Sequence, residues 1–331
     1  MTAFSVDAGA PMIVDGLGAV GIRVARELAG TPGLGPVILR SAHEQRHRLA
    51  VEALGDRVRP WRKSDEQLGG TVVLAREAEA HPDLVRRHVE AGRNVVSCAD
   101  DPEVVRELIE LDDLAKASGS VLVLGAACSP GLSCLLARHA ANAVEKLISI
   151  NIAMVGAGGP SCIQRRQDAA HNVAPVWRDG GWDTPQPGTK LAWFPDPIGA
   201  VDVGHGSLVE PLLLRRGFPE AKLLTASTAV GGLGASRLWD RVRQWRRPTA
   251  EPVGAIRVEV VGEIDGEEAM VVYAVVDRLA VAAAALAAVV ALDVDRLPAG
   301  VSAVGEQRDP LPWLVELARR GVKAATFEPS I

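Results

Sequence analysis

The sequence carries no surplus of positive charge. Lys and Arg number 36 against 41 Asp and Glu, a formal net charge of -5 over 331 residues, so the basic footprint of a nucleic-acid partner is missing. The densest basic segment, RVRQWRRP at 241–248, reads as a solvated helix face, with a nucleic-acid or membrane patch as the alternative. Cysteine is scarce: Cys98, Cys128, Cys134 and Cys162 form no C-x-x-C pair, and no histidine cluster stands at zinc spacing. No metal is therefore expected, and small buried packing is the default role of these cysteines. A bilayer-spanning run is also lacking. LAVAAAALAAVVALDV at 279–294 holds about 14 apolar residues between Arg278 and Asp293, short of the roughly 20 that a span requires, and reads as a helix buried on nearly all sides. The opening MTAFSVDAGAP has neither the positive charge nor the apolar stretch of a signal peptide, so the reducing cytoplasm is the expected compartment. There is no internal repeat and no low-complexity linker.

What is present is an ordinary globular composition, 48% hydrophobic and 23% charged, in a chain long enough for two domains. Near its start, PMIVDGLGAVGIRVARELAG places Gly16, Gly18 and Gly21 at G-x-G-x-x-G spacing. The spacing alone is weak; its setting strengthens it. Met12, Ile13 and Val14 form an apolar run suited to a buried strand, and Val20, Ile22, Val24, Ala25 and Leu28 recur at roughly helical spacing. Each glycine then has a task in dinucleotide binding: Gly16 the tight turn, Gly18 the approach of a pyrophosphate, Gly21 close helix–strand packing. The helix N-terminus adds free N–H groups and partial positive charge. A βα turn without a ligand is the alternative.

Apolar runs at GPVILR, TVVLA, RNVVSCA and SVLVLGAA, with DRVRPW as an edge candidate, alternate with helical stretches at 42–54, HPDLVRRHVEAG and DPEVVRELIELDDLAKASG. Strands alternating with helices give a parallel sheet with right-handed crossovers. The expected fold is α/β: a Rossmann-type doubly wound sheet of six strands over residues 1–146, with ligands at the strand carboxyl ends. A second, α+β domain is expected over 147–280. It contains LISINIAMV, an irregular tryptophan-rich region and the hairpin AIRVEVVGEIDGEEAMVVYAVVD around Asp265-Gly266, which means antiparallel sheet. Residues 281–331 are expected to supply helices and a short strand that pack back on the first domain.

An acidic residue about 20 positions past the glycines would contact the adenosine ribose of NAD. Here the second strand ends in Arg40 and Ser41. An arginine can fork onto a 2′-phosphate that a carboxylate would repel, so NADP is expected, with NAD the alternative if Arg40 is only solvated and Glu44 contacts the ribose. No second flavin-contacting segment is visible. The remaining cofactor candidates are Leu17, Ala19 and Val20 in the glycine loop and Ala75, Arg76 and Cys98 at later strand ends.

Residues 82–135 carry a more specific pattern: Glu90-Ala91-Gly92 before a strand, the acidic Asp100-Asp101 loop, Leu111-Asp112 in the next helix, then Gly125 and Pro130-Gly131-Leu132. With the glycine motif, this resembles the cofactor domain of the saccharopine dehydrogenase-like (saccharopine reductase-like) family over the first 145 residues or so. The second half is similar only in outline. The resemblance implies a nicotinamide cofactor, an inserted α+β domain, commonly a homodimer, and oxidoreductase activity at the C–N bond of an imine or secondary amine. Some relatives reduce C=C bonds instead, so the fold does not set the substrate.

Hydride transfer requires the protein to hold the nicotinamide against the substrate and to manage one proton. Asp100 could orient a substrate amine or cap the helix beginning near Pro102. In the second domain Arg165 and Arg166 could fork onto a carboxylate, with His171 and Trp177 beside them as substrate contacts. His205, flanked by glycines, has a side chain suited to proton donation near neutrality; Asp196 and Arg178 are the other catalytic candidates. The alternatives are plain: a surface ion pair of Arg178 with Asp179, and His205 as a turn residue. Arginine and tryptophan richness points to a small carboxylate-bearing substrate. No Lys–His pair is visible along the chain, which leaves a non-catalytic NADP(H)-binding regulator as the reading from a different class. A homoserine-dehydrogenase-like transfer at a C–O bond ranks last for want of a lysine-bearing substrate loop.

Overall fold

Short strands that are apolar on both faces can be satisfied only inside a sheet covered on both sides, and the first half of the chain builds one. The structure, a computed structural model, describes residues 10–156, 159–168, 174–229 and 253–326. Strands β1 (Met12–Asp15), β2 (Val37–Arg40), β3 (Val58–Pro60), β4 (Thr71–Leu74), β5 (Asn94–Ser97) and β6 (Val121–Leu124) pair in parallel in the order β3-β2-β1-β4-β5-β6. DRVRPW supplies the edge strand as its charges imply. A seventh strand, Gly300–Ala303, extends the sheet beside β6, so the expectation of six is one short. This strand is only four residues long and comes from the far end of the chain, held by the bond from the Val301 N–H to Asp112 Oδ1 (2.8 Å).

Helices α1 (Gly21–Ala29), α2 (Glu44–Leu54), α3 (His81–Glu90), α4 (Pro102–Ile109), α5 (Asp112–Ser118) and α6 (Leu132–Ala141) alternate with these strands. The stretch expected as one helix after residue 101 is two. Asp101 caps α4, its Oδ1 accepting from the N–H groups of Glu103 (2.9 Å) and Val104 (3.1 Å). The chain then tightens through a Leu111 N–H to Leu108 carbonyl bond before α5 starts.

The second sheet contains β7 (Lys146–Val155), β10 (Thr189–Phe194), β11 (Gly199–His205), β12 (Leu223–Ala229), β13 (Gly254–Ile264) and β14 (Glu267–Asp277), with a small hairpin of β8 (Val176–Arg178) and β9 (Gly181–Asp183) on β12. All pairs are antiparallel except β12 with β7. One face, with Ile150, Ile152, Met154, Ile256 and Val258, is fully buried in the main core, where α6 packs on β13 and α8 (Glu210–Gly217) on β12. The Asp265-Gly266 turn has φ of +53° and +80°, the left-handed pair that a two-residue hairpin loop requires.

The alanine-rich helix α9 (Leu279–Asp293) runs behind the first sheet, against α1, β4 and β5. Alanine at most positions lets backbones approach from several sides, and nearly every residue of the helix is buried. After it, β15 is the seventh parallel strand just described. Helix α10 (Leu311–Arg319) and β16 (Ala324–Thr326) close the described chain. β16 pairs with β14, so the short closing strand lies on the second sheet rather than packing back on the first. No described helix is long and apolar enough to cross a membrane. RVRQWRRP and the opening nine residues lie outside the described residues.

Because Ala284 is fully buried in this crowded helix, Ala284→Leu is expected to lower stability by about 1–3 kcal/mol through overpacking, read as a lower urea midpoint with unchanged slope.

Candidate cofactor site

The glycine motif links β1 to α1, and its three glycines do not do the same work. Gly16 has φ of +106°, and a Cβ there would stand 2.5 Å from the Ala75 carbonyl oxygen. A Cβ on Gly21 would stand 1.7 Å from the Gly16 carbonyl oxygen. The fold itself therefore demands both. A Cβ on Gly18 would meet nothing within 4 Å, so protein packing does not account for this glycine. It opens on a cleft. Helix α1 starts there with no side-chain cap and no acidic residue in its first turn, leaving N–H groups and the positive dipole end for an anion. The residues present thus fit the pyrophosphate of a dinucleotide.

The cleft has a volume of about 1240 Å³ and lies along the strand carboxyl ends. At the β2 end it is lined by Ser41, His43 and Arg46; Gly16, Leu17, Gly18, Ala19 and Val20 lie at its centre with Ala75 and Arg76; Cys98 and Asp100 mark the far end. Helix α7 (Pro160–Asp168) of the second domain forms part of the wall, so close that a Cβ on Gly159 would stand 3.2 Å from that of Ala19. Arg165 of α7 forks onto Asp100, Nε to Oδ1 at 3.1 Å and Nη2 to Oδ2 at 2.7 Å. The fork spans the two domains with little exposure of either side chain. The Cys98 thiol is pushed up to about 12 by burial, with Cys162 and Asp100 adding to it, and donates to the Ala126 carbonyl; it stays protonated and is no nucleophile.

Several expected roles change. Arg40 does not line the cleft: it pairs with Asp15 (3.3 Å) and lies over the Trp61 ring. The reason is register. β1 and β2 place Asp15 opposite Arg40, and a carboxylate with no exposed surface requires charged partners; Arg76 supplies the second, Nε to Oδ1 at 2.6 Å. Glu44 is not a lining residue either. Asp101 rather than Asp100 caps α4. Arg165, read as a carboxylate anchor, is already engaged by Asp100. His171 and the side chain of Arg166 lie outside the described residues.

Among the catalytic candidates, neither His205, Asp196 nor Arg178 lines the cleft. Asp196 sits in the exposed turn between β10 and β11, six strand residues from the His205 end, roughly 20 Å along the hairpin at about 3.3 Å per residue, so the two do not meet. Arg178 pairs at the surface with Asp183 (3.3 Å), both about half exposed. Trp177 packs edge-on to Trp182, lies under Arg215 and donates from Nε1 to the Ala221 carbonyl, which ties the hairpin to α8.

The sequence reading passed over four features. Asp15 was masked by its place in an apolar strand. Arg46 was legible five residues past Ser41, in the first turn of α2. Glu210, buried at the start of α8, accepts from Ser129 and Ser133 after β6, a contact no local pattern shows. Lys190 and His205 sit on adjacent strands, with Lys190 opposite Val203 and therefore diagonal to His205 on the same face. The Lys–His pair missing along the chain is made by sheet pairing.

Arg165→Met is expected to destabilise the protein by about 3 kcal/mol by leaving Asp100 charged and unpaired. Combining it with Asp100→Asn should recover at least half of that loss in a double-mutant cycle; additive losses would show that the fork is not coupled.

No protein-family model and no curated protein sequence matches the chain. Solved structures do. Saccharopine dehydrogenase (L-Glu forming) from Saccharomyces cerevisiae matches with a TM-score of 0.68 at 14% identity, covering 97% of this chain and 100% of that one. DAP dehydrogenase of C. glutamicum, in complex with DAP, matches at 0.52 and 15% identity, covering 95% and 99%. Amine dehydrogenase from Mycobacterium smegmatis matches at 0.52 and 13% identity, covering 91% and 96%. At such identities the likeness is one of architecture: the chain has the two-domain α/β fold of saccharopine dehydrogenase, with a parallel Rossmann-like sheet and a second, mostly antiparallel one.

Proposed function

We propose that the protein is an NADP-dependent oxidoreductase acting at the C–N bond of a small, carboxylate-bearing, amino-acid-like substrate. The observation that carries the cofactor reading is Gly18, a glycine for which the fold has no use, at the open N-terminus of α1 and in the floor of a large cleft. NADP is favoured by the residues that line the cleft after β2: Ser41, His43 and Arg46, with no carboxylate among them. Arg46 takes over the role first read for Arg40, as the guanidinium that meets a 2′-phosphate. The names of the fold's relatives, dehydrogenases of saccharopine, DAP and amines, support placing the reaction at a C–N bond.

The nicotinamide supplies the hydride when bound. The chain's own residues hold and shield it: the glycine loop and α1 take the phosphates, and the buried Asp15 fixes Arg76 beside them. Asp100 and Arg165 close the far end against water, and Cys98 presents a neutral thiol there. A homodimer belongs to the same proposal. Leu191 (57% exposed) and Trp193 (59% exposed) on edge strand β10 are apolar surface of the kind a second copy covers.

Titration of the purified protein with NADPH and NADH, followed by nicotinamide fluorescence, tests this reading. Arg46→Ala should weaken NADPH binding by about tenfold or more, the worth of a charge-assisted contact, while leaving NADH within about twofold. Arg40→Ala should instead cost stability by stripping a partner from buried Asp15 and leave the NADPH-to-NADH ratio unchanged. Tighter binding of NADH by the wild type would contradict the NADP assignment.

A further inference from the structure

The strand ends that form the cleft are tied together by buried polar groups. Asp15 at the end of β1, His81 at the start of α3 and Ser97 at the end of β5 have no exposed surface, and they meet the ends of three strands that are neighbours in the sheet, β1, β4 and β5. His81 joins the last two. Its Nε2 lies 3.2 Å from the carbonyl oxygen of Arg76, just past β4, and its Nδ1 lies 2.9 Å from Ser97 Oγ. A carbonyl can only accept, so Nε2 carries the proton and Nδ1 accepts from the Ser97 hydroxyl. The Ser97 oxygen in turn accepts from the Ala99 N–H at 3.3 Å. Burial pushes the His81 imidazole down to about 4, a drop opposed by the bond to Arg76 and by the charges of Asp100 and Glu77 and reinforced by the charge of Arg76. The ring is therefore neutral near pH 7 and keeps this one tautomer.

Packing does not ask for a histidine here. His81, Leu84, Val85, His88 and Val89 form the buried face of α3, at the spacing of an apolar stripe, and an apolar side chain at the first of these positions would be buried without desolvating two nitrogens. What the imidazole adds is a link between two loops that follow different strands: Arg76 after β4, and Cys98 with Asp100 after β5, all of which line the cleft. Arg76 is thus held twice, its guanidinium by Asp15 and its carbonyl by His81. In a dinucleotide whose adenosine lies past β2 and whose pyrophosphate lies over Gly18, the nicotinamide half is the part that crosses the ends of β4 and β5.

We propose that His81 is a positioning residue for the nicotinamide half of the cofactor, fixing the β4 and β5 ends relative to each other through the Arg76 carbonyl and the Ser97 hydroxyl, without touching the ligand itself. The inference rests on the proposed function for the identity of the cofactor; the link between the two loops does not depend on it.

The test compares His81→Phe, which keeps a buried ring and removes both bonds, with His81→Gln, whose amide offers a donor and an acceptor side by side, and with Leu317→Ala, a core truncation in α10 that lines no part of the cleft. Each full-length protein is titrated with NADPH and with adenosine 2′,5′-bisphosphate, which lacks the nicotinamide half. His81→Phe should bind NADPH about tenfold more weakly and the bisphosphate within about twofold of the wild type. His81→Gln should recover most of the loss, and Leu317→Ala should lower the thermal midpoint while keeping both affinities. Amide hydrogen exchange without ligand should show the Ala99 N–H exchanging about tenfold faster in His81→Phe and near the wild-type rate in His81→Gln. Should His81→Phe fail to fold, Ser97→Ala, which removes one bond and leaves the ring, carries the same comparison. Equal losses for both nucleotides, or unchanged NADPH affinity with unchanged Ala99 exchange, would overturn the proposal. If the wild type binds neither nucleotide, the cofactor reading is the part that fails, and the exchange of Ala99 alone decides whether His81 holds the two loops.

Discussion

The approach of α1 to the loop after β1 is the constraint on which the site depends. No side chain fits at Gly21, where a Cβ would lie inside the Gly16 carbonyl. That contact aims the helix N-terminus along the strand ends and leaves Gly18 facing open space. Helix α9 supports it from behind, since an alanine-rich surface lets α1 and two strands of the sheet approach together. The unfilled N–H groups of α1 are thereby held where an anion can reach them, before any ligand arrives.

A second constraint is the burial of Asp15. A carboxylate without solvent has to be paired, and the strand register offers Arg40 and Arg76 for the purpose. Both arginines lie at strand ends where a cofactor would pass, yet only Arg76 lines the cleft. Past the end of β2 the arginine that lines the cleft is therefore Arg46. At the opposite end Asp100 and Arg165 join the two domains, so the cleft is closed by an ion pair contributed from both.

The first domain was legible because its signals are local: apolar runs, glycine spacing and alternation of strand with helix. DRVRPW as an edge strand and Asp265-Gly266 as a hairpin turn follow from the same kind of pattern. Register is not local. Arg40 reads as a ligand contact until Asp15 is set opposite it, and the split between α4 and α5 depends on one tightened turn. The second domain was harder, since β8 to β11 are short, mostly exposed strands without a clean period. Lys190 and His205 become neighbours only through the pairing of β10 with β11. The seventh strand of the first sheet, Gly300–Ala303, comes from beyond the second domain and could not be assigned by proximity in the chain.

The central claim is that Gly18 is kept small for a ligand and not for the fold. The most direct measurement is the NADPH affinity of Gly18→Ala beside its thermal midpoint. The account predicts a midpoint close to that of the wild type, since nothing lies within 4 Å of the added methyl group, together with NADPH binding weakened by about tenfold or more. Unchanged NADPH affinity, or a loss of stability comparable to that of Gly21→Ala, would contradict it.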